Sequence, residues 1–216
     1  MKTRHYILIM CLLLLSSSIA WYFVRKQKNG FKDRLVSLAK KEVEKWKGYT
    51  ELSPFVSDWL IAYWKAVGKM FSKSDMQNPS VQATYPWSSA FISYLFFSAG
   101  ANSQFPYSAA HSGYFQEAKR NRNNPNAPLV GYRINEYTPK KGDLIVYTRE
   151  SGKGYDTDGH FAAHGELIIE EGNGYLKTAG GNVGDSTGYS RFTTDQNGYI
   201  TTNEKPVFMV IKNNIK

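Results

Sequence analysis

The feature that most constrains this chain is a change of hydrophobic period at Gly142. Before it, apolar residues recur every three or four positions; after it, they come in short runs or alternate. Helices gathered ahead of strands argue against alternating βαβ units and predict an α+β domain in which N-terminal helices pack on an antiparallel sheet. Phe31, Leu35, Leu38, Val43 and Trp46 predict a first helix that stops at Gly48. Ser53 as N-cap and Pro54 at the first helical position open a second, with Val56, Trp59, Leu60, Tyr63, Trp64, Val67 and Phe71 as its apolar stripe. Asn78-Pro79-Ser80 breaks the pattern. Pro86 opens a third helix, apolar on so many sides that it must be buried, and Gly100 ends it. A fourth is expected over 108–118. Strands are expected over 143–148, 164–170, 175–178, 198–202 and 207–211, with Gly172-Asn173-Gly174 turning the second into the third.

Residues 6–24 are almost wholly apolar and follow Lys2 and Arg4, the layout of a secretory signal or an N-terminal membrane anchor. Small residues at Ser18-Ile19-Ala20 suit cleavage, whereas the run through Trp21-Tyr22-Phe23-Val24 suits an uncleaved span, and both readings stay open. With Gln27-Lys28-Asn29-Gly30 as a linker, the chain divides into 1–30 and a single domain over 31–216. The expected location is the cell envelope, by export or by anchoring to the inner membrane. Arg25, Lys26 and Lys28 pull the other way, because the positive-inside bias taken literally keeps the domain cytoplasmic.

The sole cysteine, Cys11, lies in the apolar run, so the domain has no thiol, disulfide or cysteine metal ligand, and cysteine-dependent catalysis is excluded. The formal charge of +9 is spread in short groups such as Lys40-Lys41, Lys119-Arg120-Asn121-Arg122 and Lys140-Lys141. Such a surface attracts polyanions in general. No nucleic-acid motif accompanies it, so no nucleic-acid partner is expected.

The stretch 85–100, beginning Tyr85-Pro86-Trp87-Ser88-Ser89-Ala90-Phe91, resembles the central helix of CHAP and NlpC-type peptidoglycan amidases and endopeptidases, where a Trp-Cys-Ala-x-Phe-Val type of sequence carries the nucleophile. Pro139-Lys140-Lys141-Gly142-Asp143, the strand from His164-Gly165-Glu166, and Gly180-Gly181-Asn182-Val183-Gly184 follow in that family's order. The wording is closer still to a bacterial domain-of-unknown-function family, number 2272, which is similar to CHAP domains and itself shows Pro-Trp-Ser here. The resemblance spans about 31–212 and implies a papain-like NlpC/CHAP fold, a substrate of peptidoglycan or wall-derived peptide, and no cofactor. It carries the nucleophile onto Ser88, the base onto His164 and the orienting group onto Asn182. Gly180 stands where some CHAP domains have an acidic residue.

Serine alters the energetics. A helix N-terminus and an imidazolium can ionise a thiol but not a hydroxyl, so Ser88 needs its proton removed during attack and donors for the oxyanion. Glu166, two residues along from His164, could supply charge beside it. The competing account is that a serine in the first turn of a helix simply satisfies backbone N–H groups. Tyr85, Trp87, His111 and Tyr114 flank these groups and could line a saccharide or peptide groove, although aromatic residues at helical spacing are equally what a core contains. His160, His164 and Glu166 on one strand face would make a loose zinc-site alternative. The leading expectation is an envelope protein binding peptidoglycan or wall-derived peptide in a papain-like cleft, with hydrolysis of an amide or ester by Ser88 as nucleophile and His164 as base left open. The alternatives are an inactive recognition or protein-interaction module and a zinc-dependent hydrolase.

Overall fold

Proline, glycine and polar caps cut the first half of the domain into short helices. The computed structural model describes residues 30–201 and 205–216. In order come α1 (Phe31–Lys45), a 3-10 turn (Pro54–Val56), α2 (Ser57–Lys65), α3 (Lys73–Met76), α4 (Pro79–Thr84), α5 (Ser88–Ala99) and α6 (His111–Arg120). The strands are β1 (Leu129–Tyr132), β2 (Leu144–Thr148), β3 (Ala163–Gly172), β4 (Tyr175–Gly181), β5 (Thr187–Thr193) and β6 (Val207–Asn213). The apolar segment 6–24 and the linker through Asn29 lie outside the described residues, among which no helix is long and apolar enough to cross a membrane.

The expected helices are present with shifted ends. The second stops at Lys65 instead of continuing to Phe71, because the chain turns at Gly68, whose φ is 74°. Val67 and Phe71 still pack on the core from the connecting segment, which is why the apolar spacing outlasts the helix. Asn78-Pro79-Ser80 both breaks and starts a helix: Asn78 caps α4 through its side chain, with Pro79 in the first turn. α5 is buried almost all round and ends at Gly100 with φ 90°, a left-handed turn that glycine adopts at little cost.

The six strands form one antiparallel sheet in the order β1-β6-β2-β3-β4-β5. Alternation gives it two apolar faces. Leu144, Val146, Leu167, Ile169, Ala179, Met209 and Ile211 join the helices in the larger core. Ile145, Tyr147, Ile168, Leu176, Phe192, Val207 and Val210 make a second cluster on the other face. Two strands were not expected. β1 spans 4 residues, too few to show a period, and the outer strand β5 is mostly polar and half-buried, so backbone pairing with β4 defines it more than burial does. The strand expected over 198–202 is, among described residues, a single bridge between Thr194 and Ile200.

Asp143 explains the Gly-Asp signature as architecture. Its carboxylate, fully buried, accepts from Lys32 Nζ of α1 at 2.8 Å, the Tyr137 hydroxyl at 3.0 Å, the Lys140 N–H at 2.9 Å and the Asn213 N–H of β6 at 3.0 Å. One carboxylate therefore ties a helix, a loop and a strand together.

Candidate functional site

α5 and α6 begin close together because α5 carries buried serines. Ser89 Oγ donates to the Ser108 carbonyl at 2.8 Å and Ser93 Oγ to the same oxygen at 3.2 Å, while the Ser108 N–H returns a bond to Ser93 Oγ. Positions 89 and 93 lie one above the other on a helix. They hold the segment leading into α6 against α5, and that places His111, the first residue of α6, over Ser88, the first residue of α5.

Ser88 Oγ and His111 Nε2 are 2.7 Å apart, and the Tyr114 hydroxyl, one turn further along α6, bonds His111 Nδ1. Ser88 is 6 % exposed, His111 5 % and Tyr114 fully buried. Burial holds the His111 pKa well below 6.5, with His164 and Arg149 adding to the effect, so the ring is neutral. Burial likewise raises the Tyr114 pKa well above 10, keeping its proton on the oxygen. Among the described residues that hydroxyl has no other hydrogen-bond partner than Nδ1. The arrangement that satisfies the fully buried Tyr114 hydroxyl has it donating to Nδ1 and Nε2–H donating to Ser88, and the O–H left without an acceptor among the described residues is then that of Ser88, which is 6 % exposed. Trp87 makes no side-chain cap bond to α5, and among the described residues the N–H groups of Ser88, Ser89 and Ala90 show no hydrogen-bond partner.

His111, rather than His164, is thus the hydrogen-bonding partner of Ser88. The parity of β3 is the reason. Gly165 faces the helices so closely that a Cβ there would fall 2.0 Å from the Tyr114 oxygen and 3.0 Å from His111 Nδ1. Its neighbours His164 and Glu166 therefore point to the other side. There His164 is fully buried beside Tyr147, with ring centroids 5.1 Å apart, and its ring centroid is 5.3 Å from that of His111. Burial first, then the positive charges of Arg149 and Lys205, lower its pKa to about 3. Arg149 Nη2 donates to His164 Nδ1 at 3.1 Å, which leaves the neutral ring's proton on Nε2; that nitrogen is buried with no hydrogen-bond partner among the described residues.

Glu166 is satisfied by Tyr147, Thr178, Ser190 and Lys205 and stands 3.8 Å from His164 Nε2. Asn182, half-buried with φ 54° in the turn after β4, makes no side-chain hydrogen bond among the described residues, and the group holding His164 is Arg149. Of the expected groove residues, Trp87 is fully buried, stacked on Trp46 at 4.8 Å with its Nε1–H on Glu51 at 2.8 Å, whereas Tyr85 is 38 % exposed. The zinc alternative is not assembled: His160 is exposed and bonds Ser112 at 2.5 Å, and no three histidine, cysteine or acidic side chains converge as a metal donor set among the described residues.

The sequence offers His111 as a groove residue without pairing it with Ser88, and no motif in it singles out Arg149. Its position next to the end of β2 and opposite the start of β3 was the available signal.

Residues 57–211 match a bacterial family described as an uncharacterized protein conserved in bacteria, domain of unknown function 2272 (DUF2272). No curated protein matches the chain. No solved structure matches it.

Proposed function

The chain belongs to the DUF2272 family of bacterial proteins, and from that premise we propose that residues 31–216 are a papain-like domain of the CHAP/NlpC type. In this reading it acts in the cell envelope on an amide or ester bond of peptidoglycan or a wall-derived peptide, with Ser88 as nucleophile and His111 as base. The observation that carries the reading is the 2.7 Å contact between Ser88 Oγ and a neutral His111 Nε2 at the uncapped start of the buried central helix. As Oγ attacks a carbonyl, its proton passes to Nε2. The developing oxyanion is met by first-turn N–H groups at the positive end of α5. Residues 6–24 would export or tether the domain.

The Tyr114 contact favours the recognition-module alternative. Accepting the Ser88 proton requires His111 to carry its own proton on Nδ1, which strands the fully buried Tyr114 O–H in place of the slightly exposed Ser88 O–H. A buried unpaired donor costs about 1–3 kcal/mol, and the difference between the two tautomers is at most that. The reactive population falls by no more than roughly a hundredfold, small against the ~8–23 kcal/mol that enzymes supply, so the contact slows the dyad without forbidding it.

The test uses the purified full chain with peptidoglycan sacculi, soluble muropeptides and p-nitrophenyl acetate. Turnover is expected in the native chain and lost in both Ser88→Ala and His111→Gln. Turnover that survives either substitution ends the dyad reading, and saturable muropeptide binding without turnover selects the recognition module.

A further inference from the structure

A cleft of about 480 Å³ opens beside the end of β2, lined by Thr148, Arg149, Glu150, Lys153 and Pro206 among others. We propose that this cleft binds an oxyanion, a carboxylate or phosphate group of a ligand, through the Arg149 guanidinium with Lys153 beside it. The inference goes beyond the hydrolase reading and holds whether or not Ser88 is a nucleophile.

Many described lysines and arginines, about half of them, face a carboxylate, as Lys32 does Asp143, Lys119 Asp158 and Arg133 Asp156. Arg149 and Lys153 are exposed and have no carboxylate partner among the described residues. Glu150, also in the cleft, accepts the Ala162 N–H and forms no ion pair with either. What holds Arg149 is a buried and neutral acceptor, His164 Nδ1, at 3.1 Å. A guanidinium fixed by a carboxylate spends its charge there. One fixed by a neutral imidazole keeps the whole charge, and its remaining N–H groups form the fork that carboxylate and phosphate oxygens take up in pairs. The Arg149 N–H also bonds the Ala162 carbonyl at 2.9 Å, so backbone and side chain are both placed before a ligand arrives.

The experiment titrates the full chain calorimetrically with N-acetylglycine, N-acetylglycinamide and inorganic phosphate. N-acetylglycine or phosphate is expected to bind and the uncharged amide not to; which anion binds more tightly tells a carboxylate ligand from a phosphate one. Arg149→Gln should weaken binding about tenfold or more. Lys153→Gln, which leaves the His164 contact intact, should weaken it several-fold, and Lys41→Gln and Ser88→Ala should leave it unchanged. The proposal is overturned if neither anion binds, if the amide binds equally well, or if Arg149→Gln and Lys153→Gln have no effect. Loss of anion binding in Ser88→Ala would move the anion to the start of α5 and overturn it equally.

Discussion

Ser88, His111 and Tyr114 compete for the placement of three protons along one line of hydrogen bonds, and that placement sets what the serine hydroxyl can do. Side-chain nitrogen-15 NMR should show both His111 and His164 neutral at pH 7 with the proton on Nε2; a His111 protonated on Nδ1 would instead put Ser88 in the donating, attack-ready arrangement. Both rings have pKa values below 6.5 in the folded chain, His164 at about 3, so the unfolded chain binds more protons in acid. Stability from this source is complete above about pH 6.5 and falls as the pH drops toward 3. For His164 the loss approaches on the order of 1 kcal/mol per pH unit below 6.5, and His111 adds to it in the same direction. His164→Gln should flatten the acid limb of a urea-unfolding series measured from pH 7 to pH 4, and an unchanged limb would refute the buried neutral state. Gly165→Ala forces a methyl into the Tyr114 oxygen, so it should cost about 1–3 kcal/mol and separate His111 from Ser88.

Elements decide where those side chains meet. α5 was legible as a buried helix because its apolar residues cover nearly every side, and Pro86 and Gly100 bracket it. Its serines were not legible as clamps. Whether Ser89 and Ser93 face core, solvent or a returning chain depends on what packs there, and here it is the Ser108 segment. β3 was legible as a strand carrying His164, yet its facing was not, since both faces are buried and the polar side formed by His164 and Glu166 does not mark solvent or the helices. Asp143 joins α1, β6 and the 137–140 loop, so Asp143→Ala leaves Lys32 and several N–H and O–H donors unpaired. Thermal or urea denaturation should show a loss of about 3–5 kcal/mol, with Asp143→Asn losing less.

Across the whole molecule, one antiparallel sheet separates the larger helix-covered core from a smaller cluster, and the two candidate sites use different sides of β3. Ser88, His111 and Tyr114 gather on the helix side; His164, Glu166 and Arg149 gather on the other. If the envelope reading holds, cell fractionation should recover the full chain with the envelope, and deletion of residues 1–29 should release the remainder to the cytoplasmic fraction. The order of helices before strands, the Asn173-Gly174 hairpin and the absence of any cysteine chemistry in the domain were determined by the sequence itself, because each rests on local period, turn chemistry or composition. Which histidine meets Ser88, and that an arginine rather than an asparagine holds His164, only the tertiary structure decided. Both depend on the facing of a doubly buried strand and on a contact between two helix starts 23 positions apart, and neither leaves a local trace in the chain.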